Sequence, residues 1–102
     1  MSFQVDVVSP EAIIWSGGAD FVVARTTEGD IGILTGHEPL MAALATGVVL
    51  IRHGGDSVTI GVHGGFMQVV SDQVTLLTDR AQISTGGKEA AGELAAQLSK
   101  EG

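Results

Sequence analysis

Three histidines, His37, His53 and His63, are the only imidazoles in this 102-residue chain, and imidazole is the side chain best suited to proton transfer or metal binding near neutral pH. A zinc centre would need three or four ligands converging at standard spacing, and these three are not so spaced. His53 and His63 instead end candidate strands, where a polar residue is ordinary. Glu28 and Asp30 could in principle share acid–base work, but two residues apart on a glycine-bounded turn they read as solvated turn residues. No Ser sits in a Gly-x-Ser-x-Gly elbow, so a hydrolase triad lacks its anchor. No Gly-x-Gly-x-x-Gly occurs, and Gly87-Lys88 lacks the flanking residues of a P-loop, so the glycines are read as turn formers. With no cysteine, neither a disulfide, a thiolate nucleophile nor a thiolate metal site is available. The expectation is a protein without catalytic residues, metal or cofactor.

Composition narrows the partners. Twelve acidic residues against five basic ones give a formal charge of −7, which opposes binding to nucleic acid and anionic lipid. One Trp, three Phe and no Tyr leave few aromatic platforms for stacking sugars or bases. The start, Met1-Ser2-Phe3-Gln4-Val5-Asp6, lacks the basic and apolar regions of a secretory signal, and no apolar run reaches membrane-spanning length. Secretion and bilayer insertion are both disfavoured.

The elements that would hold any site are strands. Fifteen glycines and a 44% hydrophobic share rich in Val and Ile describe short strands punctuated by turns, and the length fits one domain. Phe3 to Val8 alternates with period two and breaks at Ser9-Pro10-Glu11. Ala12 to Ser16 precedes a Gly17-Gly18 turn, Asp20 to Thr26 and Gly29 to Leu34 follow, and Thr35-Gly36-His37-Glu38-Pro39 is a loop. Leu40 to Leu44 is too short to assign. Val48 to His53 and Ser57 to His63 flank a Gly54-Gly55-Asp56 turn, with Val58, Ile60 and Val62 on one face. Phe66 to Val70 and Val74 to Thr78 form a second hairpin, and Ala81 to Ile83 adds an edge strand. The total is about ten strands, the pattern of a mainly β, antiparallel β-sandwich.

The tail differs in kind. Ala91, Leu94, Ala95 and Leu98 recur at helical spacing, predicting one short amphipathic helix over Lys88 to Lys100. The division expected is a sandwich over residues 1–84 and a helical tail over residues 85–102. Several strands, at Val7-Val8, Ile13-Ile14-Trp15, Val48 to Ile51 and Leu76-Leu77, are apolar on both faces, and neighbouring strand residues point to opposite sides. Something must cover an outer face: the tail helix, or a protein partner, which the thin alanine stripe of the tail makes the preferred reading.

The ordered blocks Val7-Val8-Ser9-Pro10-Glu11, Trp15-Ser16-Gly17, Glu28-Gly29-Asp30-Ile31-Gly32-Ile33, Gly36-His37-Glu38-Pro39-Leu40, Gly64-Gly65-Phe66 and Val74 to Ala81 resemble the N-terminal domain of the epsilon subunit of bacterial F-type ATP synthase. The resemblance spans residues 3 to 83 and implies a ten-stranded β-sandwich followed by a helical hairpin. It also implies a non-catalytic rotor part at the cytoplasmic face of the cell membrane, peripheral to it, joining the gamma shaft to the membrane c-ring and passing on its rotation. Carried over by motif, Glu28, Gly29, Asp30, His37 and Glu38 are expected to touch the basic polar loops of the c-ring, and Ser9, Leu40 and Met41 to face the gamma subunit. Two departures stand out. Thr35 replaces the proline usual before Gly36. Ile83 is followed by Ser84-Thr85-Gly86, without the Asp and Arg of the family's ATP-binding motif, and the tail falls short of a hairpin, so neither ATP sensing nor inhibition by helix insertion is expected. The competing reading is a stand-alone ligand-binding β-sandwich, such as a sugar-binding module, against which the aromatic scarcity counts.

Overall fold

The computed structural model describes residues 2–84 and 95–98. Eight strands run in chain order: β1 (Phe3–Val8), β2 (Ile13–Ala19), β3 (Phe21–Thr26), β4 (Gly29–Leu34), β5 (Leu40–Ala43), β6 (Gly47–His53), β7 (Asp56–Val70) and β8 (Gln73–Ser84). They pair in the order β2-β1-β8-β7-β6-β3-β4, with β5 added to β7 off that path. The pairs are antiparallel except β1 and β8, which run parallel from Gln4 opposite Gln73 to Val8 opposite Leu77.

Two long strands make this one path into a sandwich. β7 pairs with β6 through its first half, Asp56 to Val62, and with β5 through its second, Phe66 to Val69. β8 pairs with β7 along its length and with β1 only over Gln73 to Leu77. One layer is therefore β2-β1-β8-β7-β5 and the other β8-β7-β6-β3-β4. The core between them holds Val5, Val7, Val22, Ile33, Val49, Ile51, Ile60, Met67, Val69, Val74 and Leu76, all buried.

The strand count falls from ten to eight because two apparent breaks are bends. Gly64 and Gly65 join Ser57–His63 to Phe66–Val70 as one 15-residue strand with φ of +70° and +115°. A Cβ at Gly65 would run into the Leu77 carbonyl oxygen, so glycine alone permits the strands to cross so closely. Asp79-Arg80 likewise lies inside the 12-residue β8. Gly17 and Gly18 do not end a strand either: β2 runs through them to Ala19, and the Trp15 ring lies over Gly17, where a Cβ would sit 3.1 Å from it. Leu40 to Ala43 is a strand in its own right. The β7–β8 turn is made by Ser71 and Asp72, both at positive φ, 48° and 61°.

Of the helix expected over Lys88–Lys100, residues 95–98 are helical, and the remainder lies outside the described residues. That turn packs on the outer face of the second layer. Ala95 is buried, and with Ala96 it borders a hollow floored by Val23, Val48 and Leu50, while Leu98 sits near Ala81 and Ile14. Arg80 Nη1 donates to the Leu98 carbonyl at 3.5 Å. This turn, residues 95–98, thus covers part of one of the two outer faces.

Candidate functional site

The opposite face, outside the first layer, carries the densest exposed apolar surface. Alternation along β1, β7 and β8 sends Val5, Val7, Met67, Val69, Val74 and Leu76 inward and their neighbours outward. The registers then align outward residues across strands: Ala43 opposite Phe66, Phe66 opposite Leu77, Leu77 beside Val8 and Val8 opposite Ile13. This row crosses five strands, and its exposed members are large: Phe66 is 55% exposed, Leu77 53% and Ile13 70%. Met41 adds a second apolar side chain one row away, 66% exposed. Along the middle of the row a shallow groove is lined by Val8, Ser9, Pro10, Phe66, Leu77 and Thr78.

The next row on the same face is polar and tied together. Asp6 stands opposite Ser16 on β2 and beside Thr75 on β8. Ser16 Oγ donates to Asp6 Oδ1 at 2.5 Å, Gln4 Nε2 donates to the same oxygen at 3.1 Å, and Gln73 Nε2 donates to Asp6 Oδ2 at 2.9 Å. Those bonds, Ser16's foremost and then Gln4's, hold the Asp6 carboxyl below its ordinary pKa against the opposing effect of burial.

The residues expected to face gamma lie around this surface with different orientations. Ser9 borders the groove, its backbone N–H donating to the Ala12 carbonyl at 2.9 Å. Met41 points out of β5, opposite Gln68, whereas its neighbour Leu40 stands opposite Val69 and packs against the core.

The residues expected to face the ring do not share one end of the molecule. Glu28, Gly29 and Asp30 form the turn entering β4, and His37 and Glu38 follow its exit, so the length of β4, about 20 Å, separates them. The antiparallel path of the chain thus puts the two loops at opposite ends of β4. At the first site Thr26 Oγ1 donates to the Gly29 carbonyl at 2.6 Å and accepts the Glu28 N–H at 3.2 Å. Gly29 takes φ +119°, a conformation that favours glycine. Asp30 is committed internally, since Arg25 Nε lies 3.2 Å from its Oδ1 across the β3–β4 pair, both side chains more than half exposed. No side chain among the described residues bonds to the carboxylate of Glu28. At the second site the Gly36 N–H donates to Asp72 Oδ1 at 2.9 Å, pinning the loop to the β7–β8 turn, and His37 Nδ1 lies 2.7 Å from the Glu38 carbonyl.

The other two histidines are also engaged locally. His63 Nδ1 meets Thr46 Oγ1 at 2.7 Å, and the His53 ring lies 5.4 Å from that of Trp15. Among the described residues no three His, Asp or Glu side chains are grouped to hold a metal ion. Nor is any described helix long and apolar enough to cross a membrane. Sequence reasoning singled out Leu76-Leu77 as needing cover but did not single out Phe66 or Asp6 as surface residues of this face; the period-two pattern marks them as outward-facing, and only the strand order makes them neighbours.

Comparison with known proteins places this arrangement. Residues 2–84 match the family described as ATP synthase, Delta/Epsilon chain, beta-sandwich domain. The chain is 46% identical over 85 residues to the ATP synthase epsilon chain of Frankia casuarinae, covering 82% of this chain and 100% of that one. With the epsilon chain of Streptomyces griseus it shares 41% identity over 98 residues, 95% of this chain and 79% of the relative. With that of Alkalihalophilus pseudofirmus it shares 42% over 82 residues, 80% of this chain and 62% of the relative. In fold it is similar to a chain of the Euglena gracilis mitochondrial ATP synthase, solved with OSCP, F1 and c-ring, at a TM-score of 0.78 and 24% identity, covering 97% of this chain and 62% of that one. A chain of the Tetrahymena thermophila mitochondrial ATP synthase central stalk and c-ring aligns at a TM-score of 0.65 and 18% identity, covering 96% of this chain and 88% of that one. On the match over residues 2–84 and the identity to these epsilon chains, the chain belongs to the delta/epsilon chain family of ATP synthases.

Proposed function

We propose that the chain is a non-catalytic central-stalk rotor subunit, held to the gamma shaft by the outer face of its first layer and to the c-ring by the turn at Glu28, Gly29 and Asp30. The observation that carries this reading is the apolar row from Ile13 through Val8 and Leu77 to Phe66, with Met41 beside it. Side chains of this size, left exposed in a contiguous row on a small domain, mark a surface that a protein covers. The tail turn lies against the other layer and leaves this face open among the described residues.

The two contacts differ in physics. Burial of the row supplies affinity for gamma, because apolar area removed from water stabilises in proportion to its size. The ring contact is made of exposed charges worth about 0.2–1 kcal/mol each, so it sets register and specificity. Glu28 is the foremost ring-facing acid, since Asp30 already has Arg25. His37 and Glu38, the other residues expected at the ring, stand a strand's length from Glu28, in the loop that Asp72 pins ahead of β5, while Ser9, Leu40 and Met41 are the residues expected to face gamma. The complex would sit at the cytoplasmic face of the cell membrane, with this subunit peripheral and not inserted. Residues 1–84 form the attaching sandwich, and residues 85–102 the tail.

Purification of the ATP synthase from native membranes tests the reading. Mass spectrometry should find this chain in the complex at a stoichiometry equal to gamma. Its absence from an otherwise complete complex would sink it.

A further inference from the structure

The polar row beside the apolar one fixes the chemistry that the covering protein must bring. Asp6 and Val8 are two residues apart on one strand, so the carboxylate stands about 7 Å from the apolar row. A stable interface covers about 800 Å² on each partner, and one centred on Phe66, Leu77, Val8 and Ile13 must extend over Asp6 as well. The carboxylate is held in place by Ser16, Gln4 and Gln73, side chains of three adjacent strands. All three donors are neutral, so the charge is oriented and not cancelled. The ion pair among the described residues, Arg25 with Asp30, lies on the other layer. A carboxylate offers about four acceptor positions, three are taken, and the remaining one is on Oδ2. Covering such a charge without an answering cation strips its water for no return.

We propose that Asp6 is a preorganised anchor for one cationic side chain, a guanidinium or ammonium group, of the protein that covers the apolar row. The proposal rests on the reading of that protein as gamma. It divides the face into an apolar row that supplies affinity and one fixed charge that sets register, since a rigid acceptor loses no side-chain freedom on binding and rejects a misplaced partner.

Calorimetric titration of the purified chain with the purified gamma subunit, at several salt concentrations, provides the test. The wild type should bind less tightly as salt rises, because the pair is screened. Asp6→Asn should bind about thirtyfold more weakly or worse, with a flatter salt dependence. Gln73→Lys keeps the carboxylate but places a cation from within the chain where the partner's would sit, and should weaken binding in the same way. Ser16→Ala removes a donor and leaves the charge, and should stay within about threefold of wild type. Unchanged affinity in both Asp6→Asn and Gln73→Lys, or an equal loss in Ser16→Ala, would overturn the anchor while leaving gamma binding intact. No binding by the wild type would instead remove the rotor reading, and the anchor with it.

Discussion

Asp6 shows how a single charged residue can be both structural and addressed to a partner. Its ladder ties β2, β1 and β8 together by side-chain hydrogen bonds added to those of the backbone. Because its folded pKa lies below the unfolded value of about 3.9, the ladder contributes stability that is fully present above that pH and is lost as pH falls through the folded value. Thermal unfolding of wild type and Asp6→Asn should therefore differ most near neutrality, with wild type the more stable, and converge as the pH falls through the lowered folded value. A gap that stays constant down to pH 2 would mean that the ladder does not depend on the charge. Asp30 is the contrasting carboxylate. The spacing of Glu28 and Asp30 shows an acidic turn, but the Arg25 partner is visible only once β3 and β4 are in register.

At the scale of elements, period-two alternation located nearly every strand, because one buried face imposes it on any sequence. What it missed were continuities and partners. Gly64-Gly65 and Asp79-Arg80 look like breaks because glycine pairs and charged pairs usually punctuate; here they are bends within β7 and β8. The parallel pairing of β1 with β8 joins residues about 70 apart in sequence, and no local pattern reports a contact of that span. The doubly apolar strands were legible as needing cover on both sides, and the structure divides the answer: the tail turn lies on Val23, Val48 and Leu50, while Phe66, Leu77 and Ile13 stay open. Gly65→Ala tests the bend. The Cβ would meet the Leu77 carbonyl at a positive φ, so the substitution should lower stability by about 3 kcal/mol or more, read from the midpoint of urea unfolding. A loss below about 1 kcal/mol would show that the strands can part at little cost.

For the whole molecule, the family was legible in the ordered motif blocks, whereas the separation of the two loops expected at the ring was not, because β4 carries the chain from one loop to the other. The Glu28 turn can be tested apart from the apolar face: Glu28→Lys should reduce retention of the chain on membranes stripped to the ring by about three- to fivefold at low salt, with gamma binding unchanged. Asp56→Lys, in the exposed β6–β7 turn, should have no effect. Equal losses would show that only net charge matters.

The continuity of β7 and β8 has a mechanical consequence. Their ladder runs from Thr59–Ser84 in one layer to Val70–Gln73 in the other, so neither layer can slide or peel away while it is intact. A twisting load entering at one attachment meets hydrogen bonds sheared together along a single ribbon, not opened one after another like a zipper. On the proposed rotor reading, that makes the sandwich a stiff coupling, with compliance left to the surfaces by which it would be attached.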